Sequence, residues 1–352
     1  MSITGRVSDR FLYLQGQHLV LKSWVVSSVL FLSLCLRMYG QQTFQNSLFY
    51  LDPYDMNPAY IGIDDRISMV ARYRQQWMGL EGSPGFARFN IHVPLRDYHA
   101  GFGLKLASES IGVMEDFTLS FSGNYYVETY FGAISAGIRG GFSGKNIDGS
   151  KLVSATGIYG SDPIDHQDNY LSEIRAGEFF PVLGFGLNFF SNKLEIGTVF
   201  DYYPVVSKRI DKFLWKNQPM ITFHGKYYLP LVPHFRMEAF WMLKSDLIQY
   251  QNDAGLLAEW RDQFFAGLTL KGFSRLIPDV LSISAGAYLG HSISIAYNYE
   301  LGFSTLNQWE NGSHEIIVRW RIDSFFGAKK KEPIIHRDRK STRLNSSHAN
   351  IS

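Results

Sequence analysis

Between residues 65 and 326 the hydrophobic and polar positions repeat with a period of two. Phe117, Leu119, Phe121 and Tyr125 alternate with Thr118, Ser120, Ser122 and Asn124. Ile293, Ile295, Tyr297, Tyr299 and Leu301 alternate with Ser294, Ala296, Asn298 and Glu300, and Ile316, Val318, Trp320 and Ile322 with Glu315, Arg319, Arg321 and Asp323. Successive side chains of a strand face opposite sides, so each run predicts a strand with one apolar and one polar face. Such windows fall at 65–75, 85–94, 98–109, 114–127, 129–144, 182–190, 193–202, 219–229, 234–244, 253–260, 262–271, 279–289, 291–301 and 313–323, with no helical pattern between them.

Alternation alone fits a membrane barrel or a soluble sandwich, because both have one apolar and one polar face per strand. The connections separate the two. Short links at 95–97, 128, 191–192, 230–233, 261 and 290 alternate with longer ones that include 145–181, 203–218, 245–252 and 302–312. The fold expected is all-β: a transmembrane antiparallel β-barrel of about fourteen strands, with short periplasmic turns, long extracellular loops and both termini periplasmic.

Tyr125, Tyr126, Tyr130, Tyr202, Tyr203, Tyr227, Tyr228 and Trp260 stand near strand ends and suit interfacial girdles, although the strand propensity of aromatics explains them equally well. Gly103, Lys105 and Ala107, Arg236, Glu238 and Lys244, and Arg319 and Arg321 read as the inward face. Charges there require a wet or plugged lumen, and pair within the wall or line a path. Gly101-Phe102-Gly103 and Gly184-Phe185-Gly186 lie inside strands, where glycine marks curvature or close packing.

The ends divide the chain further. Lys22 and the apolar run 24–36 have the form of a secretory signal peptide, too short for a comfortable membrane helix. Residues 1–40 are therefore read as signal, with a start placed too far upstream and cleavage after Gly40. Residues 41–64 are read as a periplasmic lead-in, 65–326 as the barrel, and 327–352 as a charged tail whose last part, from Lys340, is a cloning or sequencing scar. Cys35, the single cysteine, falls in the signal segment, so disulfides and thiol chemistry are not expected of the mature chain. Leu34 in front of it does not fit a lipoprotein signal.

A net charge of +2, with basic residues scattered among aromatics, argues against nucleic acid as a partner. No His-Glu-x-x-His, Gly-x-Ser-x-Gly, Walker or calcium-loop pattern occurs, and the histidines lack ligand spacing. No catalytic residue, metal or cofactor is expected. Asp162, Asp165 and Asp168 lack the glycine and terminal glutamate of a calcium loop. The stretch 145–181 around them is longer than a connection requires and reads as a functional loop or a variable surface loop.

The lead-in carries the most distinctive motif. Asn57 and Pro58 set a turn, Ala59 and Tyr60 follow, and Gly62 permits a second bend before a strand that ends with Tyr73, Gln76 and Trp77. This motif, followed by Gly82 to Pro84, His92-Val93-Pro94, Gly101 to Leu104, Ser110-Ile111-Gly112 and the glycine-rich run 132–141, resembles the PorP/SprF family of outer-membrane proteins of the Bacteroidetes type IX secretion system. Gly85-Phe86 departs from the small polar residue expected after Pro84. The resemblance implies a non-enzymatic outer-membrane component of type IX protein secretion, and of gliding motility where present. It would assist export or surface anchoring of cargo such as large adhesins, with partners among type IX components, secreted cargo and outer-membrane lipid. An outer-membrane porin or hydrophobic-solute transporter is the alternative. Asn57, Pro58, Ala59, Tyr60, Gly62, Tyr73, Gln76 and Trp77 are then a docking shelf at the barrel mouth, or a plug that braces it.

Overall fold

Alternating sequence becomes alternating burial along the wall. In Phe264–Lys271 the odd-numbered residues are buried and the even-numbered ones exposed, without exception. The computed structural model describes residues 46–323 apart from 64–65, 161–164, 169–170, 172–173, 203–207, 211–212, 216–218, 233 and 274–277. Its strands are β1 (Arg66–Gln75), β2 (Gly85–Leu95), β3 (Ala100–Ile111), β4 (Met114–Thr129), β5 (Gly132–Asp148), β6 (Arg175–Phe190), β7 (Leu194–Tyr202), β8 (Lys208–Ile210), β9 (Phe213–Trp215), β10 (Met220–Val232), β11 (Phe235–Ser245), β12 (Tyr250–Trp260), β13 (Phe264–Lys271), β14 (Val280–Leu289), β15 (Ile293–Gly302) and β16 (Ser313–Asp323). All but β8 and β9 form one closed antiparallel barrel of fourteen strands, each paired to its neighbours along the chain. The seam is β1 against β16, from Arg66 opposite Asp323 to Gln75 opposite His314. Closure leaves no unpaired edge, which a membrane-embedded sheet requires.

The fourteen windows of the sequence correspond one to one with the barrel strands, and the connections sort by rim. Residues 96–99, 130–131, 191–193, 233–234, 261–263 and 290–292 make one rim; 76–84, 149–174, 203–219, 272–279 and 303–312 dominate the other. Two details differ from expectation. On the long rim, Gly112 and Val113 close a tight turn, with the glycine at φ 56°. The stretch 145–181 is shortened at both ends because Asp148 pairs with Arg175 and the ladder continues from there to Ala133 opposite Phe190. What remains is folded: the 3-10 turn Gly149–Lys151 abuts His166, which is fully buried and bonded to Gly149 O at 2.9 Å. The 203–219 connection carries the β8–β9 hairpin.

The expected faces hold along β4, β15 and β16: Phe117, Phe121, Tyr125, Ile295, Tyr297, Ile316, Val318 and Trp320 are exposed on the outside, while Ser120, Ser122, Asn124, Asn298, Glu300 and Glu315 are buried inside. The girdle is thinner than the sequence suggested. Tyr125, Tyr130, Tyr227 and Trp260 are exposed, but Tyr126 points inward against Ile63 and Phe190, and Tyr228 bonds Glu195. The side chains of Tyr202 and Tyr203 lie outside the described residues.

The inward face is also not only small and charged. Val70, Phe240, Met242, Leu257, Phe265, Ala296 and Ile317 turn apolar side chains into the lumen, where Leu48, Phe49, Tyr50 and Leu51 cover them. The core of this molecule is the barrel interior, and its filling is the chain that precedes β1. That segment, expected as a periplasmic lead-in over 41–64, is described from Asn46 and runs within the lumen. The proposed signal segment 1–40 and tail 327–352 lie outside the described residues.

Candidate functional site, a segment folded into the barrel lumen

Residues 46–63 have no strand periodicity, and two prolines keep them from extending far as helix. Leu51 N bonds Leu48 O in a first turn, Pro53 opens a one-turn helix, α1 (Pro53–Met56), and Pro58 opens a 3-10 turn through Tyr60. Asn57 joins the two turns. Its side chain accepts from Ala59 N at 2.9 Å, and its amide nitrogen donates to Leu187 O at 3.2 Å and lies 3.0 Å from His224 Nε2. Gly62, at φ 75°, makes the last bend beside Pro94, where a Cβ would meet Pro94 Cα at 3.3 Å.

The segment descends through the lumen in layers. Ser47 sits level with Arg74, Lys271 and Glu300, at the long-loop ends of β1, β13 and β15. Its N–H donates to Glu315 at 3.1 Å, and its hydroxyl contacts Glu300 and accepts from Lys271 at 2.8 Å and Arg74 at 2.7 Å. Arg74 also binds Glu300 at 2.6 Å, as Lys271 does at 2.7 Å.

In the middle layer Asp55 receives Arg88 at 2.6 Å, Lys105 at 2.7 Å and Arg72 at 3.3 Å, and Asp52 receives Asn90 at 2.6 Å. The backbone carbonyls released by the turns find wall cations: Tyr50 O takes Lys226, Leu51 O takes Arg319, and Tyr54 O and Asp55 O take Arg139, all within 2.6–3.0 Å. On the apolar side Tyr50 stacks on Phe240 at 4.1 Å and bonds Ser284 through its hydroxyl at 2.7 Å. At the short rim Tyr60 donates to Glu195 at 2.8 Å, Asn124 donates to Ile61 O at 2.7 Å, and Ile63 packs on Tyr126 and Phe190.

The wall is cut to fit. A Cβ on Gly137 would lie 2.5 Å from Ala59 N, and one on Gly101, Gly103 or Gly186 would strike Ile61, Tyr54 or Asn57. Close packing, one of the two readings of these glycines, is what they provide.

The residues that formed a single motif in sequence are separated in space. Asn57, Pro58 and Ala59 are buried against β5 and β6, with Tyr60 half-buried and Gly62 at the short rim. Tyr73 is 53% exposed on the lipid side, and Gln76 and Trp77 start the long-rim connection, where Trp77 N donates to Ser313. The residues missed were Asp52 and Asp55 and, among the wall groups that meet them, Arg72, Arg88 and Asn90; Lys105 had been read as an inward-facing charge. Among the described residues no group of His, Cys, Asp and Glu is arranged to hold a metal ion.

The family model described as type IX secretion system membrane protein PorP/SprF matches residues 38–320. No curated protein matches the sequence. Solved structures of similar architecture include the Acinetobacter baumannii outer membrane protein Omp33 (7% identity, 74% of this chain and 100% of that one, TM-score 0.43). Others are the CymD monoaromatic hydrocarbon channel (10%, 80% and 94%, 0.45) and a Pseudomonas aeruginosa FadL homologue (12%, 77% and 93%, 0.42).

Proposed function

The chain belongs to the PorP/SprF family of type IX secretion system membrane proteins and resides in the outer membrane; on that premise we propose that it assists export or surface anchoring of secreted cargo as a non-enzymatic platform rather than a conduit. The observation that carries this reading is the filled lumen. From Ser47 to Ile63 the segment is buried or half-buried and bonded to opposing walls, including Arg88 of β2, Arg139 of β5, Lys226 of β10 and Arg319 of β16. A diffusing solute would have to break buried ion pairs, and removing one partner of such a pair costs about 3–5 kcal/mol. This weighs against the porin or hydrophobic-solute transporter.

With the interior occupied, contact with other type IX components and with cargo falls to the rims. The long rim presents 149–174 and 303–312, and the short rim presents turns as exposed as Tyr130 (97%). Large adhesins are the cargo class, with a role in gliding motility where that occurs. Asn57 through Gly62 act as the anchor of the plug. The test is a deletion strain complemented with the wild-type gene. Surface display of proteins bearing a type IX C-terminal domain is lost in the deletion and restored by the gene, and the purified barrel gives no swelling of sugar-loaded liposomes. Normal display in the deletion strain together with swelling at porin rates overturns the proposal.

A further inference from the structure

We propose that the outer wall over β3–β7 holds one acyl chain of an inner-leaflet phospholipid in a built recess. The register makes the recess. One row across the wall reads Phe102, Gly123, Ile138, Phe185, Phe200, and the next reads Ala100, Tyr125, Ala136, Leu187, Thr198. Gly123 in the first row and Ala136 in the second are flanked by Phe102 and Ile138 and by Tyr125 and Leu187, so they leave adjoining gaps between rings and branched chains.

The gaps join into a cavity of 680 Å³ lined by Phe102, Tyr125, Ile138, Phe185 and Leu187 among others. This lies within the roughly 300–1,000 Å³ of pockets that bind small ligands. Those five side chains are 52–65% exposed and none turns toward the lumen, so the recess opens outward into the apolar band of the barrel. Each lies nearer the short-rim end of its strand, which places the recess in the inner-leaflet half. Its position says what covers it: hydrocarbon. An open recess with an apolar lining takes a flexible chain, whereas another barrel wall would need a flat or protruding face.

Two substitutions fill the recess without touching the plug. A Cβ on Gly123 would meet Gly101 O at 3.8 Å and Phe102 at 4.0 Å, ordinary contacts, and Ala136 is exposed on the outward face of β5. The wild-type barrel, purified in mild detergent, carries one bound phospholipid by native mass spectrometry. Gly123→Leu with Ala136→Leu loses it, and Ala285→Leu on β14, an exposed small position outside the recess, keeps it. A wild-type barrel without bound phospholipid, or a filled variant that retains it, overturns the proposal. A second measurement uses only the wild type, reconstituted with phosphatidylethanolamine bearing a photoactivatable acyl chain. Crosslinks concentrate on β3–β7; an even distribution around the wall, or crosslinks to long-rim residues instead, overturns it.

Discussion

Arg88 of β2 and Asp55 of α1 meet inside the barrel at 2.6 Å, the carboxylate 2% exposed and the guanidinium 14%. Arg88 is held from its other side by Glu109 at 2.7 Å, and Asp55 by Lys105 and Arg72. One acidic residue of an irregular segment thus ties three wall strands, β1, β2 and β3, into one buried charge network.

Asp55→Asn keeps the shape and removes the charge, leaving Arg72, Arg88 and Lys105 crowded without it. Loss of a buried partner of this kind costs about 3–5 kcal/mol. The expected result is a lower temperature for the heat-modified gel shift of the purified barrel and a lower urea midpoint, with Glu109→Gln, at a more exposed partner, less affected.

Gly137 and Gly140 are neighbours on β5 with opposite surroundings. A side chain at 137 collides with Pro58 and Ala59, whereas one at 140 meets nothing within 4 Å. Valine suits a strand at either position, so propensity does not separate them. Gly137→Val should lower stability by about 1–3 kcal/mol through overpacking, and Gly140→Val should leave the urea midpoint unchanged.

How much of this was legible in the sequence follows from the physics of each part. The strands were, because a wall between lipid and interior imposes period two, as in Phe117 to Asn124, and tight turns punctuate it. A plug was one of two readings left open for Asn57 to Gly62; its extent and its contacts were not legible, because residues 46–63 obey no period and their partners are distant in sequence: Ser47 meets Glu300, and Asn57 meets His224. Two signals pointed to it. Glycines recur at inward positions such as 101, 103, 137 and 186, and apolar residues occupy both faces at Phe264-Phe265 and Ile316-Ile317-Val318. A wet lumen needs neither; a filled one needs both.

That filling changes what an arginine scan of β4 should show. Leu119 faces lipid, where arginine near the midplane costs on the order of 2–4 kcal/mol. Ser120 faces inward, and a wet lumen would accept arginine there, but its side chain is wholly buried beside Gly141. Leu119→Arg and Ser120→Arg should therefore both reduce the heat-modifiable fraction in outer membranes, the second through overpacking.

Proteinase K added to intact cells should cut within 149–174 and spare Ser191 and Asn192, because the two lie on opposite rims. The cut should also be slow. His166 bonds Gly149 O and lies 3.2 Å from the Tyr159 hydroxyl, pinning the loop on itself. His166→Ala should accelerate cleavage several-fold without changing its rim, and cleavage confined to the short turn would reverse the orientation.

The last prediction separates an anchor from a docking site at the motif that first drew attention. Asn57 is fully buried, and its side chain serves Ala59 N, Leu187 O and His224, so no partner reaches it while the plug is in place. Asn57→Ala leaves those groups short of hydrogen bonds at a cost of about 1–3 kcal/mol. The urea midpoint should fall by that measure, while cargo display, normalised to the amount of heat-modifiable barrel, stays at the wild-type level. Display that drops with barrel content and stability unchanged would mean that secretion reads this turn directly, and that the plug leaves the lumen when it does so.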